Sequence, residues 1–249
     1  MNNKKVIVCD LDGTLALSKS PLAPDMAEVL CHILSRHFLA VVSGGSYRQF
    51  HDQFISELHC PPELLQNLFL FPLMGSTCYV FDPKNVSWKQ VYEEKLSQKE
   101  REDIIEAFNE AISLAGFDLS DSYGDIIEDR GSQITFSGRG QQAPLEVKKV
   151  WDPDQSKRRK LISILEKKIP KFNLKIGGMS SIDVTRAGVD KAYAIGKIKE
   201  IIHVADEDII FVGDALYKGG NDEAVKNTDV DFIQEDGPDE TMEFLSRYI

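Results

Sequence analysis

The chain of 249 residues has 42% hydrophobic residues, 28% charged residues and a formal net charge of −11. This composition is typical of a soluble globular protein, and the length allows one large domain or two unequal ones. The acidic balance argues against a general binder of nucleic acid or of acidic membranes. An anionic substrate would therefore need a cationic site of its own.

Targeting signals and cysteine usage indicate where the protein works. The N-terminal apolar run, residues 6–11, is far shorter than the roughly 20 residues of a membrane span, and no signal peptide follows the opening residues MNNKK. We therefore expect a cytoplasmic protein with no membrane partner. The four cysteines form no CxxC pair and lie in apolar surroundings, which predicts reduced packing residues rather than a disulfide or zinc framework.

Several short apolar runs predict the strands of a parallel sheet that is buried on both faces. Amphipathic segments lie between several of them: residues 23–37 carry a proline near a helix start, and residues 190–203 lead into a predicted strand. This alternation predicts an α/β fold, a Rossmann-like core with a parallel sheet. The predicted strands are residues 6–11, 38–44, 68–73, 208–214 and 230–234.

The pattern changes in the middle of the chain. Residues 97–116 predict a helix with a capping box at its start and a glycine at its end. A second helix is predicted for residues 156–170, and alternating segments, including residues 86–92, are typical of half-buried antiparallel strands. The predicted domains are a core of residues 1–83 and 189–249 and an inserted α+β domain of residues 84–188.

Two carboxylates follow the first predicted strand, in VIVCDLDGT. Residues i and i+2 of a strand point to the same face, so Asp10 and Asp12 converge where the strand ends. Asp214 directly follows another predicted strand in FVGDALYKGGND, and Asp222 lies in the glycine-rich turn after it. In open parallel sheets, ligands bind beyond the carboxyl ends of the strands. Asp10, Asp214 and Asp222 therefore predict an oxygen-rich Mg²⁺ site, which leaves Asp12 for proton transfer.

The order of these motifs resembles that of the haloacid dehalogenase superfamily of phosphotransferases. The motifs are DLDGT, a small hydroxyl residue after the second strand, a lysine, and GD followed by ND. The resemblance implies that Asp10 attacks phosphorus to form an aspartyl-phosphate, while Asp12 exchanges protons with the leaving group and the incoming hydroxyl. The implied catalytic residues are Asp10, Asp12 and Lys191, the phosphate-binding residues are Ser43, Gly44 and Lys191, and the Mg²⁺ ligands are Asp10, Asp12, Asp214 and Asp222.

A narrower resemblance covers most of the chain. The stretches VVSGGS, EDRGSQITFSGRG and IGGMSSIDVTRAGVDK are similar to those of eukaryotic-type phosphomannomutases, whose α+β cap lies between the second and third motifs. The resemblance implies that the inserted domain is such a cap, and that a homodimer through the caps is one expected assembly. The residues that it implies for binding the sugar and the non-reacting phosphate are Arg130, Arg139, Ser181 and Asp183.

The sequence departs from that family at three places. Glu146 lies near the position where the family has a further arginine, and Lys19 lies where the family has an arginine after the DxDGT motif. Lys19, Lys148 or Lys149 are the cations available to replace them. The family's NG after the third strand is MGS here, residues 74–76. Each lost cation weakens the case for a mutase, which must hold a bisphosphorylated intermediate.

Three functions follow from these observations. The first expectation is a Mg²⁺-dependent phosphohydrolase on a small phosphorylated metabolite, in particular a hexose phosphate. The alternative is a phosphomannomutase, which uses the same intermediate but returns the phosphoryl group to the other sugar hydroxyl. The third is a catalytically silent sugar-phosphate binding protein. It would require a broken motif, and Asp10, Asp12 and Asp214 are all present.

Overall fold

A computed structural model describes residues 4–249 of the chain. Its contacts divide the chain into two compact units. The larger unit comprises the chain up to Glu93 together with Asp190–Ile249, and the smaller unit is Glu94–Val189. The smaller unit is thus an insertion between two parts of the larger one.

The two units together contain the following strands and helices, in chain order. The strands are β1 (Val6–Asp10), β2 (Phe38–Val42), β3 (Leu68–Phe71), β4 (Thr77–Asp82), β5 (Ser87–Glu93), β6 (Ile127–Asp129), β7 (Gln133–Ser137), β8 (Phe172–Gly177), β9 (Ser181–Arg186), β10 (Ile209–Gly213) and β11 (Asp231–Gln234). The helices are α1 (Pro24–Leu34), α2 (Tyr47–Gln53), α3 (Pro62–Leu65), α4 (Gln98–Ala115), α5 (Leu145–Trp151), α6 (Ser156–Lys168), α7 (Lys191–Ile202) and α8 (Pro238–Leu245). Within residues 4–249, none of the helices combines the length and the apolar character needed to cross a bilayer.

The larger unit is built on a seven-stranded sheet in the order β11-β10-β1-β2-β3-β4-β5. Its first five strands pair in parallel, whereas β4 and β5 extend the sheet as antiparallel neighbours. This confirms the predicted α/β fold and its five parallel strands. The placement of residues 86–92 in the inserted domain is wrong, because β5 forms a hairpin with β4. The smaller unit accordingly begins at Glu94 rather than near residue 84.

Helices cover both faces of this sheet, which explains why its strands are continuous apolar runs rather than alternating ones. Along β1, Ile7 and Cys9 belong to a buried cluster that includes residues of α1 and α8. Val6 and Val8 point the other way, into a second cluster that includes residues of α7. The backbone of β1 is therefore fixed from both sides, and the groups at its carboxyl end are held rigidly.

The smaller unit is an antiparallel sheet in the order β6-β7-β9-β8, and α4 and α6 contact it on one face. Helix α4 begins with the predicted capping box of Ser97 and ends at Gly116, whose φ of 68° favours glycine. Along β7, Ile134 and Phe136 join the apolar cluster under these helices. The alternate residues of β7 are polar, so the sheet has one apolar and one polar face.

The cysteines depart from the prediction. Cys31 on α1 and Cys60 before α3 form a disulfide, with Cα atoms 5.3 Å apart. The prediction of four reduced cysteines is therefore wrong for this pair, whereas Cys9 and Cys78 are free and buried. The bonded residues are 29 positions apart in sequence, and only the contact between α1 and α3 brings them together. Short-range spacing carries no sign of such a pairing.

Candidate active site

The carboxyl ends of three neighbouring strands bring the predicted site residues together. β1 ends at Asp10, which is almost fully buried, and it pairs in parallel with β2 and β10. Ser43 follows β2, and Asp214 follows β10. Because parallel strands present their carboxyl ends at one edge of a sheet, the sheet order itself places these groups side by side.

Three carboxylates form a compact cluster at this edge. One oxygen from each of Asp10, Asp214 and Asp222 lies within 4.8 Å of the others. The Lys191 ammonium, fully buried at the first residue of α7, lies 2.5 Å from Asp10 Oδ1 and also pairs with Asp222. One cation therefore faces three carboxylates, and the cluster as a whole retains an excess of negative charge.

Two glycines allow the carboxylates to approach so closely. Gly13 has a φ of +94°, and a Cβ at this position would lie 2.7 Å from Asp214 Oδ2. A Cβ on Gly213 would lie 2.5 Å from Asp222 Oδ2. Any side chain at either position would push a carboxylate out of the cluster. The glycines of the DLDGT and VGD motifs are thus explained by geometry.

Burial and the charges of neighbouring groups shift the pKa values of this cluster. Burial, above all, raises the pKa of Asp10 well above its ordinary value; the nearby Lys191 opposes this rise, while Asp222 and Asp214 add to it. Burial also raises the pKa of Asp214, with a further contribution from Asp222. For Lys191, burial alone would lower the pKa, but the charges of Asp10 and Asp222 outweigh it, so its pKa is raised. The lysine stays charged and the carboxylates favour an added cation.

The donor set of the cluster fits a hard divalent cation. Asp10 Oδ1 lies 2.5 Å from the Lys191 ammonium, whereas the buried Asp10 Oδ2 accepts no hydrogen bond from any of residues 4–249. A buried carboxylate oxygen without a hydrogen bond is costly unless a cation compensates it. All the other potential ligands are carboxylate oxygens, which are the ligands that Mg²⁺ prefers. The cluster could therefore hold a metal ion through Asp10, Asp214 and Asp222.

Asp12 is separate from this cluster. Its carboxylate accepts hydrogen bonds from the Lys19 backbone N–H at 2.6 Å, from Gln49 Nε2 at 3.0 Å and from Gln53 Nε2 at 3.1 Å. The structure thus does not bring the Asp12 side chain to the metal cluster, contrary to its inclusion among the implied Mg²⁺ ligands. The proton-transfer role of Asp12 stays a prediction.

The loop after β2 supplies the predicted phosphate-binding groups. Ser43 is buried, and its Oγ accepts a hydrogen bond from the Gly45 N–H at 3.2 Å. Its backbone N–H and C=O bond to Phe71 and Met74 of the neighbouring chain segment. Gly44 is partly exposed between them. The loop is therefore fixed on both sides at the edge of the sheet where Asp10 and Lys191 lie.

In the smaller unit, the predicted binding residues fall on the polar face of the sheet and in its loops. Asp183 on β9 is buried, and its Oδ1 accepts hydrogen bonds from Thr135 Oγ1 at 2.8 Å and Gln133 Nε2 at 3.0 Å. Ser181 is two residues before it on the same strand, so the two side chains share a face. The sequence analysis missed Gln133 and Thr135, although their polar alternation in β7 was visible.

The two predicted arginines differ in their surroundings. Arg130 forms an ion pair with Glu128, at 2.6 Å between Nη2 and Oε2. Arg139 is half-buried in the loop after β7. The structure places both near the ends of β7, Arg130 before the strand and Arg139 after it.

The lysines named as replacement cations also differ. Lys148 on α5 is buried and donates a hydrogen bond to the Gln141 backbone oxygen at 2.8 Å. Lys149 and Lys19 are exposed, and so is Glu146 in the first turn of α5. Of these three lysines, Lys148 is thus the buried one.

Comparisons with known proteins agree on one family. The family model described as eukaryotic phosphomannomutase matches residues 26–248. A Caenorhabditis elegans protein described as a probable phosphomannomutase is 26% identical over 231 residues, which cover 90% of this chain and 87% of that protein. The matched range of the family model begins after Asp10 and Asp12, so their assignment depends on the motif and on the geometry described above.

Two solved structures share the fold. A haloacid dehalogenase-like hydrolase from Bacteroides thetaiotaomicron has a TM-score of 0.66 at 19% identity, covering 99% of this chain and 100% of that one. An IMP-nucleotidase from Plasmodium falciparum has a TM-score of 0.74 at 13% identity, covering 98% of this chain and 68% of that one. Because the family model spans most of the sequence, the chain belongs to the eukaryotic phosphomannomutase family and is an enzyme, with the fold of the haloacid dehalogenase-like hydrolase.

Proposed function

We propose that the protein is a Mg²⁺-dependent phosphomannomutase that moves a phosphoryl group between the 1- and 6-hydroxyls of a hexose through an aspartyl-phosphate at Asp10. The observation that carries the proposal is the buried cluster in which Lys191 contacts Asp10 and Asp222 beside Asp214. A salt bridge with a purely structural role would need only one carboxylate to pair with Lys191. The second and third carboxylates at the end of the same sheet favour a bound metal ion, and that ion can in turn bind an anionic substrate.

The reaction divides into two transfers at phosphorus. In the first, an Asp10 oxygen forms a bond to phosphorus while the bond from phosphorus to the sugar oxygen breaks, and Asp12 gives a proton to that oxygen. In the second, the free hydroxyl oxygen of a hexose monophosphate attacks the aspartyl-phosphate, Asp12 takes the hydroxyl proton, and the bond between Asp10 and phosphorus breaks. The hexose 1,6-bisphosphate formed in this way is the donor for the next first transfer, which leaves the phosphoryl group on the other sugar oxygen. Atoms and protons balance over the two steps, and Asp10 and Asp12 return to their starting states.

The other residues of the larger unit stabilise charge. Lys191 holds its proton, so its ammonium offsets negative charge on the transferring group, together with Ser43 and the backbone around Gly44. Mg²⁺ held by Asp10, Asp214 and Asp222 would supply further charge neutralisation and polarise the phosphoryl oxygens. Without such compensation, a carboxylate would repel the phosphate dianion that it has to attack.

The polar face of the smaller unit would bind the sugar and its second phosphate. Arg130 and Arg139 offer guanidinium groups, which bind phosphate with two parallel hydrogen bonds. The Asp183 carboxylate, positioned by Thr135 and Gln133, would contact sugar hydroxyls. Family membership and the relatives described as phosphomannomutases support the hexose phosphate as substrate. They favour the mutase over the hydrolase that the sequence analysis placed first.

One observation favours a second candidate, a phosphohydrolase on the same substrate class. Glu146 is an exposed carboxylate near the position where the resemblance implies an arginine of the mutase family. A negative charge there would weaken the hold on a bisphosphorylated intermediate. Water instead of a sugar hydroxyl would then complete the second transfer. A homodimer through the smaller units stays a prediction from the resemblance, and so does a cytoplasmic location.

The products distinguish the two candidates. Purified protein with Mg²⁺ is given mannose 1-phosphate or glucose 1-phosphate, with and without a catalytic amount of the matching hexose 1,6-bisphosphate. Inorganic phosphate and hexose 6-phosphate are measured separately. Formation of 6-phosphate that depends on the bisphosphate supports the mutase. Free phosphate without 6-phosphate replaces it by the hydrolase, and neither product with either sugar contradicts the hexose-phosphate proposal.

A further inference from the structure

The carboxylate of Asp12 is held from one side by two amides of a single helix. Gln49 and Gln53 are four residues apart on α2, so their side chains share one face of the helix. Gln49 Nε2 donates to Asp12 Oδ2 at 3.0 Å, and Gln53 Nε2 donates to Asp12 Oδ1 at 3.1 Å. Each oxygen is thus bound by a different amide, which fixes the rotation of the carboxylate plane as well as its position.

The two amides are themselves fixed. Gln49 Nε2 also donates to Gln53 Oε1 at 3.1 Å, which links the two side chains. Gln53 is buried, and its backbone oxygen accepts a hydrogen bond from the Leu22 N–H. The Gln49 amide lies so close to Gly45 that a Cβ there would be 2.7 Å from Gln49 Oε1. Long glutamine side chains lose rotamer freedom when they are held in this way, and that loss needs compensation.

Helix α2 connects this arrangement to the phosphate-binding loop. Ser46 caps the helix, with its Oγ accepting a hydrogen bond from the Gln49 N–H. The loop from Ser43 to Gly45 precedes this cap directly. The same short segment therefore carries the predicted phosphate-binding groups at its start and the Asp12 partners on its helix.

We infer that Gln49 and Gln53 are positioning residues that hold the Asp12 carboxylate in the orientation needed to pass a proton to and from the reacting oxygen. This inference deepens the proposed function and rests on the role of Asp12 as acid and base. A proton-transfer group has to lie within hydrogen-bond distance of the reacting oxygen in both half-reactions. Small misplacements of such a group are costly, because the reacting geometry is narrow.

Substrates with different leaving groups distinguish a positioning role of Gln49 and Gln53 from a merely structural role. An alkyl oxygen of a sugar needs a proton as its bond to phosphorus breaks, whereas p-nitrophenolate leaves without one. The experiment measures the rate of protein phosphorylation in a single turnover with Mg²⁺, using rapid acid quench. Mannose 1-phosphate and p-nitrophenyl phosphate are compared for the wild type, Gln49→Leu, Gln53→Leu and the double variant.

Each single variant is expected to slow phosphorylation by mannose 1-phosphate about 10- to 100-fold, the effect of losing one hydrogen bond to a charged group. The rate with p-nitrophenyl phosphate is expected to stay near that of the wild type. Gln66→Leu, at an exposed glutamine of the same unit, is the matched control. If buried Gln53→Leu fails to fold, the more exposed Gln49→Leu carries the test alone.

Equal slowing with both substrates, or no slowing with either, would overturn the inference. A wild-type protein that neither substrate phosphorylates would instead overturn the proposed function. The two failures are therefore distinguishable in one data set.

Discussion

The edge of the large sheet and the polar face of the small sheet are both rich in buried polar groups, but they differ in charge balance. At the edge of the large sheet, one lysine faces three carboxylates, and buried Asp10 Oδ2 accepts no hydrogen bond from residues 4–249. On the small sheet, a single carboxylate, Asp183, accepts hydrogen bonds from Thr135 and Gln133.

This difference separates chemistry from recognition. A buried cluster with an excess of negative charge lowers the stability of the folded protein, and such destabilisation is typical of sites that act on a charged ligand. Hydroxyl and amide donors fix the position of the Asp183 carboxylate, and such a network suits the reading of sugar hydroxyls. Under the proposed function, the reaction steps would depend on the larger unit and the identity of the substrate on the smaller one.

The largest effect is expected from Lys191→Met, which removes the cation of the charge-rich cluster. Phosphorylation by mannose 1-phosphate should fall about 10²- to 10³-fold, because a charge-stabilising group at phosphorus is lost. In the absence of Mg²⁺, the free energy of unfolding should also fall by about 3–5 kcal/mol, since buried carboxylates lose their partner. Single-turnover rates and urea unfolding measure the two effects. An unchanged rate in a folded variant would remove Lys191 from the site.

The next effect concerns recognition by the smaller unit. Arg139→Ala should raise KM for mannose 1-phosphate about 10- to 100-fold, as expected for a lost guanidinium-phosphate contact. The phosphorylation rate with saturating p-nitrophenyl phosphate, which has no sugar, should not change. Steady-state kinetics with both substrates measure the difference. Arg159→Ala, on the exposed side of α6, is the control, and an equal effect of both variants would contradict the assignment.

A smaller effect is expected where the chain departs from its family. Glu146→Arg restores a cation at that position and should increase the ratio of hexose 6-phosphate to free phosphate about tenfold, because the bisphosphate is held longer. The readout is the product ratio at fixed substrate and bisphosphate. Glu166→Arg, an exposed glutamate of α6, makes the same charge change elsewhere in the smaller unit. A ratio that rises equally in the control would show a general charge effect only.

The smallest effect is a pH dependence of stability caused by Asp214. Its pKa is raised in the folded protein by burial and by Asp222, with Lys191 opposing and Asp10 in the same cluster. Above the ordinary pKa of 3.8, folding therefore disfavours the ionised form, and stability is lost as pH rises through the raised pKa.

Asp214→Asn removes this penalty. Without metal, the variant should be more stable than the wild type at pH 7, and the difference should vanish below about pH 4. Urea unfolding in the presence of a chelator measures it, and Asp239→Asn, at an exposed residue in the first turn of α8, is the control. Mg²⁺ should stabilise the wild type more than the variant. A variant that is less stable at pH 7 without metal would contradict the excess of negative charge in the cluster.

The sequence was sufficient for features that depend on local pattern. The continuous apolar strands, the capping box at Ser97 and the strand-end carboxylates all have short-range signatures, and each has its expected place in the structure. Parallel strands present their carboxyl ends at one edge of a sheet, so the sequence alone predicts that Asp10, Asp214 and Asp222 lie together.

Features that depend on distant partners could not be read in this way. Strand β5 alternates like an edge strand in either unit, and only its pairing with β4 assigns it. The Cys31–Cys60 disulfide and the bonds from Gln49 and Gln53 to Asp12 join residues 29 to 41 positions apart. The i, i+4 spacing of the two glutamines after Ser46 was visible, but nothing local points to the carboxylate that they bind.

The central claim is that Asp10 itself accepts the phosphoryl group. The most direct measurement is to mix the protein with Mg²⁺ and ³²P-labelled mannose 1-phosphate, quench in acid within one turnover, and map the label by peptide mass spectrometry. One labelled peptide, phosphorylated at Asp10, is expected for the wild type, and no label is expected in a folded Asp10→Asn variant. Turnover by the wild type with no labelled protein, or label retained in Asp10→Asn, would contradict it.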